Sequence, residues 1–205
     1  MEKVNPTVQL YAQVFCFLLI WGLVLLITGT FSAFDAWSAA KRLPIAISIY
    51  ALIGIGFVRW CWRWKVLRGW LIKLPDLQGT WRGELRSDWV NPATGQGVPP
   101  IPICIVIRQT FSSIGITLMT QESSSYSTAA EINTLYGDPQ LCLSYTYTNR
   151  PKATLRNRSQ IHDGAAILKI VSSPRSLEGE YWTSRKTRGD IDVKFQSRRL
   201  AERFS

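Results

Sequence analysis

The chain has 205 residues and a net charge of +10, from 24 Lys and Arg against 14 Asp and Glu, with a single histidine. That length holds a membrane anchor plus one domain of ordinary size. One histidine, and four cysteines (Cys16, Cys61, Cys104, Cys142) in no Cys-x-x-Cys or Cys/His spacing, exclude a recognisable zinc or dithiol motif; the thiols read as free, in a reducing cytosol.

The positive charge is uneven. Arg59, Arg63, Lys65, Arg68 and Lys73 cluster just after an apolar segment, with no acid among them. Such a cluster is a topology signal. The chain beyond it is only mildly basic, which argues against DNA or RNA as a partner.

Residues 1–5 are polar. Residues 8–31 are apolar and nearly uncharged, enough to span a bilayer as a helix. The segment is too long, and its leading end too poor in cations, to read as a signal peptide. A loop over 32–43 carries Asp35, Trp37, Lys41 and Arg42. A second helix is predicted over 44–62, with Pro44 at its start. Trp60, Trp62 and Trp64 alternate with Arg59, Arg63 and Lys65, as an aromatic belt with snorkelling cations would. This helix is short for a full span, so local thinning or snorkelling is expected. Five cations after it against two in the loop place both termini on the cytoplasmic side of two spans. Residues 1–73 are the predicted anchor.

The joint is Leu74-Pro75-Asp76, where Pro75 turns the preceding residue away from helix. Residues 74–205 then read as a cytoplasmic β domain. In LQGTWRGELRS, Trp81, Gly83, Leu85 and Ser87 share one face and Arg82, Glu84 and Arg86 the other, the period of a half-covered strand. Gly79-Thr80-Trp81 resembles the Gly-x-Trp opening of lipocalins, a generic signal. Strands are predicted over 79–88, 101–109, 113–121, 124–134, 140–148, 160–171, 176–185 and 189–198. Turn residues separate them, among them Asn91-Pro92, Gly137-Asp138-Pro139, Ser173-Pro174 and Arg188-Gly189. Eight short sequential strands predict an all-β soluble domain, an eight-stranded antiparallel up-and-down β-barrel, preceded by a two-helix transmembrane hairpin. A two-sheet sandwich is the alternative.

In a meander, odd strands finish at the rim where even strands begin. Projected onto that rim, strand one delivers Ser87, strand four Ser125 or Tyr126 by register, and strand five Tyr145, Tyr147 and Asn149 after Leu141 and Leu143. Strand seven delivers Tyr181, Thr183 and Arg185 after Leu177 and Gly179. Two strands thus change from apolar to polar-aromatic on one face at one end. Rings stack on bases, hydroxyls and Asn149 read polar edges, and Arg185, or Arg150 just beyond, grips a phosphate. The candidate ligand-binding set is Ser87, Tyr126, Tyr145, Tyr147, Asn149, Arg150, Tyr181, Thr183 and Arg185. An equally open reading is that the tyrosines plug a barrel. No catalytic constellation is visible: His162 beside Asp163 is a lone pair in a turn-like run, and no Gly-x-Ser-x-Gly, His-Glu-x-x-His or phosphate loop occurs. No metal site or cofactor is expected.

A two-helix anchor running into GTWRGEL, then IRQTF, the SSSYS run and EGEYWTSRKTRGD, resembles the membrane-anchored β-barrel effectors of bacterial cyclic-oligonucleotide antiphage signalling (CBASS), the CD-NTase-associated protein fifteen family. The resemblance covers nearly the whole chain. It implies an inner-membrane receptor and effector with no reaction of its own. Its barrel would bind a cyclic dinucleotide made by a partner nucleotidyltransferase and self-associate as a homo-oligomer. Its helices would then disrupt the lipid bilayer and kill the infected cell. The rivals are a tethered lipocalin-like carrier of a hydrophobic ligand and a structural barrel that recruits a protein partner.

Overall fold

A computed structural model describes residues 6–30, 35–67, 72, 74–92, 94–134, 139–173 and 175–204. Arg68 and Lys73 of the cation cluster, Phe31 at the expected end of the first span, and the turn residues Gly137, Asp138 and Pro174 lie outside them. The chain divides into two units, Met1–Lys73 and Leu74–Ser205.

In the first unit, helix α1 spans Pro6–Ile27 and ends four residues before the expected limit. There the Thr28 hydroxyl donates back to the Val24 carbonyl at 2.8 Å, and Gly29 follows at φ +68°, a left-handed conformation that suits glycine. The expected loop contains a short helix, α2 (Ala36–Ala40), capped by the Asp35 carboxylate accepting from the Ser38 amide. Helix α3 is Leu43–Arg59, with Pro44 in its first turn. After Trp60, a 3-10 turn, Cys61–Arg63, takes in the last two predicted residues. At 1.5 Å per residue α1 is about 33 Å long and α3 about 25 Å, against a hydrocarbon core of about 30 Å. Both stretches, Leu10–Ile27 and Ala36–Arg59, are long and apolar enough to cross a membrane. Their large apolar side chains, Leu18, Leu19, Leu52 and Ile53 among them, are exposed, unlike those of a core helix in a soluble protein. The two helices touch through an edge-to-face pair of Phe17 and Tyr50.

The second unit is a closed barrel of eight antiparallel strands in sequential order. They are β1 (Gly79–Ser87), β2 (Ile101–Gln109), β3 (Ile114–Met119), β4 (Ser123–Thr134), β5 (Leu141–Pro151), β6 (His162–Ser172), β7 (Arg175–Thr183) and β8 (Arg188–Ser197). Alternation puts Trp81, Ile103, Ile105, Ile107, Leu143, Leu168, Leu177, Ile191 and Val193 into one continuous core. Each buried side chain of that size contributes about 1.5–3 kcal/mol.

The end where β1 begins is sealed. Trp81 is fully buried and donates its indole N–H to the Leu77 carbonyl at 3.0 Å. Buried Gln109 accepts from the Leu77 amide and donates to the Pro75 carbonyl. The Arg175 guanidinium stacks over the rings of Trp81 and Phe195. Gly79 sits at φ +139°, where a Cβ would lie 2.4 Å from the Ser197 carbonyl oxygen, so only glycine admits this junction. The opposite end, where β1 finishes, is where the polar face gathers.

Candidate ligand-binding rim

The register carries β5 and β7 past each other through β6. Tyr147 pairs with Gly164, and Gly164 with Thr183; Tyr145 pairs with Ala166, and Ala166 with Tyr181. Inner-face residues of both strands therefore meet at one height. Tyr145, Tyr147 and Tyr181 are all buried and belong to the same core as Leu143 and Leu177. The rings of Tyr145 and Tyr147 are 5.8 Å apart and tilted by 44°. Gly164 makes room for this: a Cβ there would lie 2.5 Å from the end of the Tyr147 ring, so the ring lies across its cross-strand neighbour.

Above the rings the wall is polar. Buried Asn149 accepts at Oδ1 from the Ser125 hydroxyl at 2.9 Å. Ser87 accepts from the Trp89 amide at 3.2 Å and stands close enough to Tyr181 to hold its pKa down in part. The Thr183 hydroxyl shares a 2.7 Å hydrogen bond with that of Thr187 across the β7–β8 turn. The Tyr145 hydroxyl has no hydrogen-bond partner although it is buried. Burial raises the pKa of all three tyrosines, most strongly for Tyr145 and Tyr147. Tyr147 is raised further by Tyr181 beside it and lowered in part by the Arg185 cation. The phenols thus stay protonated at neutral pH, and each carries an O–H that can donate to a ligand.

Three predicted positions need correction. Tyr126 is half exposed on the outer face, and Ser125 takes the inward place. The cause is a β-bulge between Ser127 and Ala129. Counted back from Ile132, alternation puts Tyr126 inside, and the extra residue reverses that phase. Arg150 is also exposed, because β5 continues to Pro151 and alternation turns the neighbour of Asn149 outward. Arg185 does not belong to β7, which ends at Thr183. It stands in the turn, exposed, with Nη1 donating to the Ser159 hydroxyl at 3.1 Å. It still acts electrostatically on Tyr147, Tyr181 and His162. His162 opens β6, within the strand predicted over 160–171. Its Nδ1 sits 2.9 Å from the Gln160 carbonyl, and Asp163 accepts from Thr148, so the two do not form a dyad.

The rim thus brings together Ser87, Tyr145, Tyr147, Asn149, Tyr181 and Thr183, with Arg185 in the adjoining turn and Ser125 added. It offers stacking faces, hydroxyl donors, an amide and one cation, a set suited to a flat anionic ligand. Gly164 and Ser159 were not foreseen. A glycine inside the strand run HDGAAILKI is the sequence trace that marks Gly164.

Residues 72–194 match the family model for the cyclic dinucleotide receptor domain of Cap15. The chain is also similar to CD-NTase-associated protein 15 of Staphylococcus schleiferi, 28% identical over 193 residues that cover 94% of this chain and 97% of that protein.

Proposed function

The chain belongs to the Cap15 family of cyclic dinucleotide receptors, and on that premise we propose that it is a membrane-anchored sensor and effector of antiphage signalling. The barrel binds a cyclic dinucleotide released by a partner nucleotidyltransferase. Binding favours a self-associating state, and the gathered helices disrupt the inner membrane.

The observation that carries this reading is the inner face shared by β5 and β7. It passes from Leu143 and Leu177 to Tyr145, Tyr147, Asn149, Tyr181 and Thr183 at one end, beside Arg185. Bases stack on the tyrosine rings, Asn149 and the hydroxyls read base or sugar edges, and Arg185 meets a phosphate. Because the rings are buried in the core, ligand enters by displacing them. That displacement couples the occupied rim to the barrel wall and supplies two states for the ligand to choose between. The polar rim speaks against a carrier of hydrophobic ligands, which needs an apolar mouth.

The positive-inside pattern of Arg59, Arg63 and Lys65 supports a cytoplasmic barrel with both termini inside. On α3, Ser48, Ala51 and Gly54, spaced three residues apart, form a small-residue face. A Cβ placed at Gly54 would meet no atom within 4 Å, so this face has room to receive a helix of another copy.

The test is a thermal-unfolding panel of cyclic di- and trinucleotides. A ligand that binds only the folded barrel raises its melting temperature with concentration. At least one cyclic dinucleotide should do so, and a flat response across all of them would remove the sensing role.

A further inference from the structure

Strand β2 is apolar on both faces. Its inner face joins the barrel core, and outward-facing Cys104 and Val106 are also fully buried. The cover is the chain after β8: Leu200, Ala201 and Phe204 pack on Cys104, Val106 and Met119. This strap is pinned through Thr80, whose hydroxyl donates to the Arg199 carbonyl at 2.6 Å and accepts from the Ala201 amide at 2.9 Å. Arg198 adds an ion pair to the buried carboxylate of Asp76 at 2.7 Å.

Beside the strap, on the outside of the barrel, is a cleft of about 410 Å³. Partly buried Phe204 gives it apolar surface, over buried Val106 and Met119. Arg108, Lys152 and Arg203 line it, against one carboxylate, Glu202. Each cation comes from a different segment: β2, the chain after β5, and the strap. Among the described residues none of the three cationic groups makes an ion pair or a side-chain hydrogen bond. Unneutralised like charges around one concavity focus a positive field into it and favour an anion there. Tyr126 stands on the same cleft with its ring half exposed and its hydroxyl without a partner. Ser124 and Thr117 offer further hydroxyls. The volume suits a mononucleotide, near the lower end of the range for small-ligand clefts.

We propose that this outer cleft binds a nucleotide, its phosphates held by Arg108, Lys152 and Arg203 and its base stacked on Tyr126, at a site separate from the rim. The geometry keeps the two apart: Ser125 faces the lumen and Tyr126, the next residue, faces the cleft.

The test uses the full chain in uncharged detergent, labelled with 3-fluorotyrosine, and ADP as the probe. Fluorine NMR should show the Tyr126 signal, assigned with Tyr126→Phe, moving on titration while those of Tyr147 and Tyr181 stay in place. Calorimetry should show ADP binding more tightly than inorganic pyrophosphate, and the Arg108→Gln, Lys152→Gln, Arg203→Gln triple variant losing at least about tenfold in ADP affinity. Tyr126→Ala should weaken ADP roughly tenfold and leave pyrophosphate unchanged. All of these residues reach the surface of the cleft, so wild-type melting temperatures are expected. Absence of ADP binding, movement of the rim tyrosines in place of Tyr126, or wild-type ADP affinity in the triple variant would each overturn the site. Equal affinity for ADP and pyrophosphate would overturn the role of the base.

Discussion

Tyr145→Phe removes one buried hydroxyl and leaves the ring. That hydroxyl has no hydrogen-bond partner, so its desolvation is uncompensated, at a cost of about 1–3 kcal/mol. The ring keeps its place 5.8 Å from Tyr147, so no cavity opens. The variant should therefore be more stable than the wild type by about 1–3 kcal/mol, a rise of roughly 3–5 °C in melting temperature for each kcal/mol. For ligand the sign reverses. In the proposed complex the hydroxyl donates to the cyclic dinucleotide, and its loss should cost about 0.5–1.5 kcal/mol of binding, roughly two- to tenfold in Kd. Calorimetric unfolding and calorimetric titration of one preparation give both numbers. A lower melting temperature would mean that the hydroxyl was already satisfied. An unchanged Kd in a stabilised variant would place it outside the site.

Arg198→Ala should destabilise the barrel by about 1.5–3 kcal/mol, because it removes a charge-assisted contact from the buried Asp76 carboxylate; urea unfolding measures this, and a loss under about 1 kcal/mol would discount the strap as an anchor for the sealed end. His162 has a folded pKa below its ordinary 6.5, chiefly through burial and with Arg185 adding to the shift. Its unfolded form therefore binds the proton more readily, and stability should fall as pH drops from 6.5 through the folded pKa. His162→Gln should flatten that part of the stability–pH curve, and an unchanged slope would assign it elsewhere. A reporter fused after Ser205 should be active only in the cytoplasm, and replacing Arg59, Arg63 and Lys65 together should scramble its orientation.

The barrel was legible because its strands follow simple rules. LQGTWRGELRS alternates cleanly, and each later strand is bounded by Asn, Gly, Pro or Ser pairs. The inward faces of β5 and β7 were equally plain, since Leu141, Leu143 and Leu177 fix their phase. Strand β4 resisted because SSSYSTAAEINT has no apolar alternation at its start, and the bulge at Thr128 reverses the phase set by Ile132. A bulge of this kind has no residue signature when the inserted residue is a threonine. The placement of Arg185 turned on the end of β7, where Thr183 bonds across to Thr187, a tertiary choice that periodicity does not encode. The strap over β2 had a trace in the unbroken run ICIVI, which is apolar on both faces, but nothing in that run says which segment supplies the cover.

The most direct test of the account is calorimetric titration of the cognate cyclic dinucleotide into Arg185→Ala, Tyr147→Phe and Tyr147→Ala, each first shown to be folded. Loss of the guanidinium removes a charge-assisted contact, about 1.5–3 kcal/mol, so Arg185→Ala should bind roughly ten- to a hundredfold more weakly. Tyr147→Phe should lose less than Tyr147→Ala, since stacking survives without the hydroxyl but not without the ring. Wild-type affinity in both folded alanine variants would contradict the rim as the ligand site.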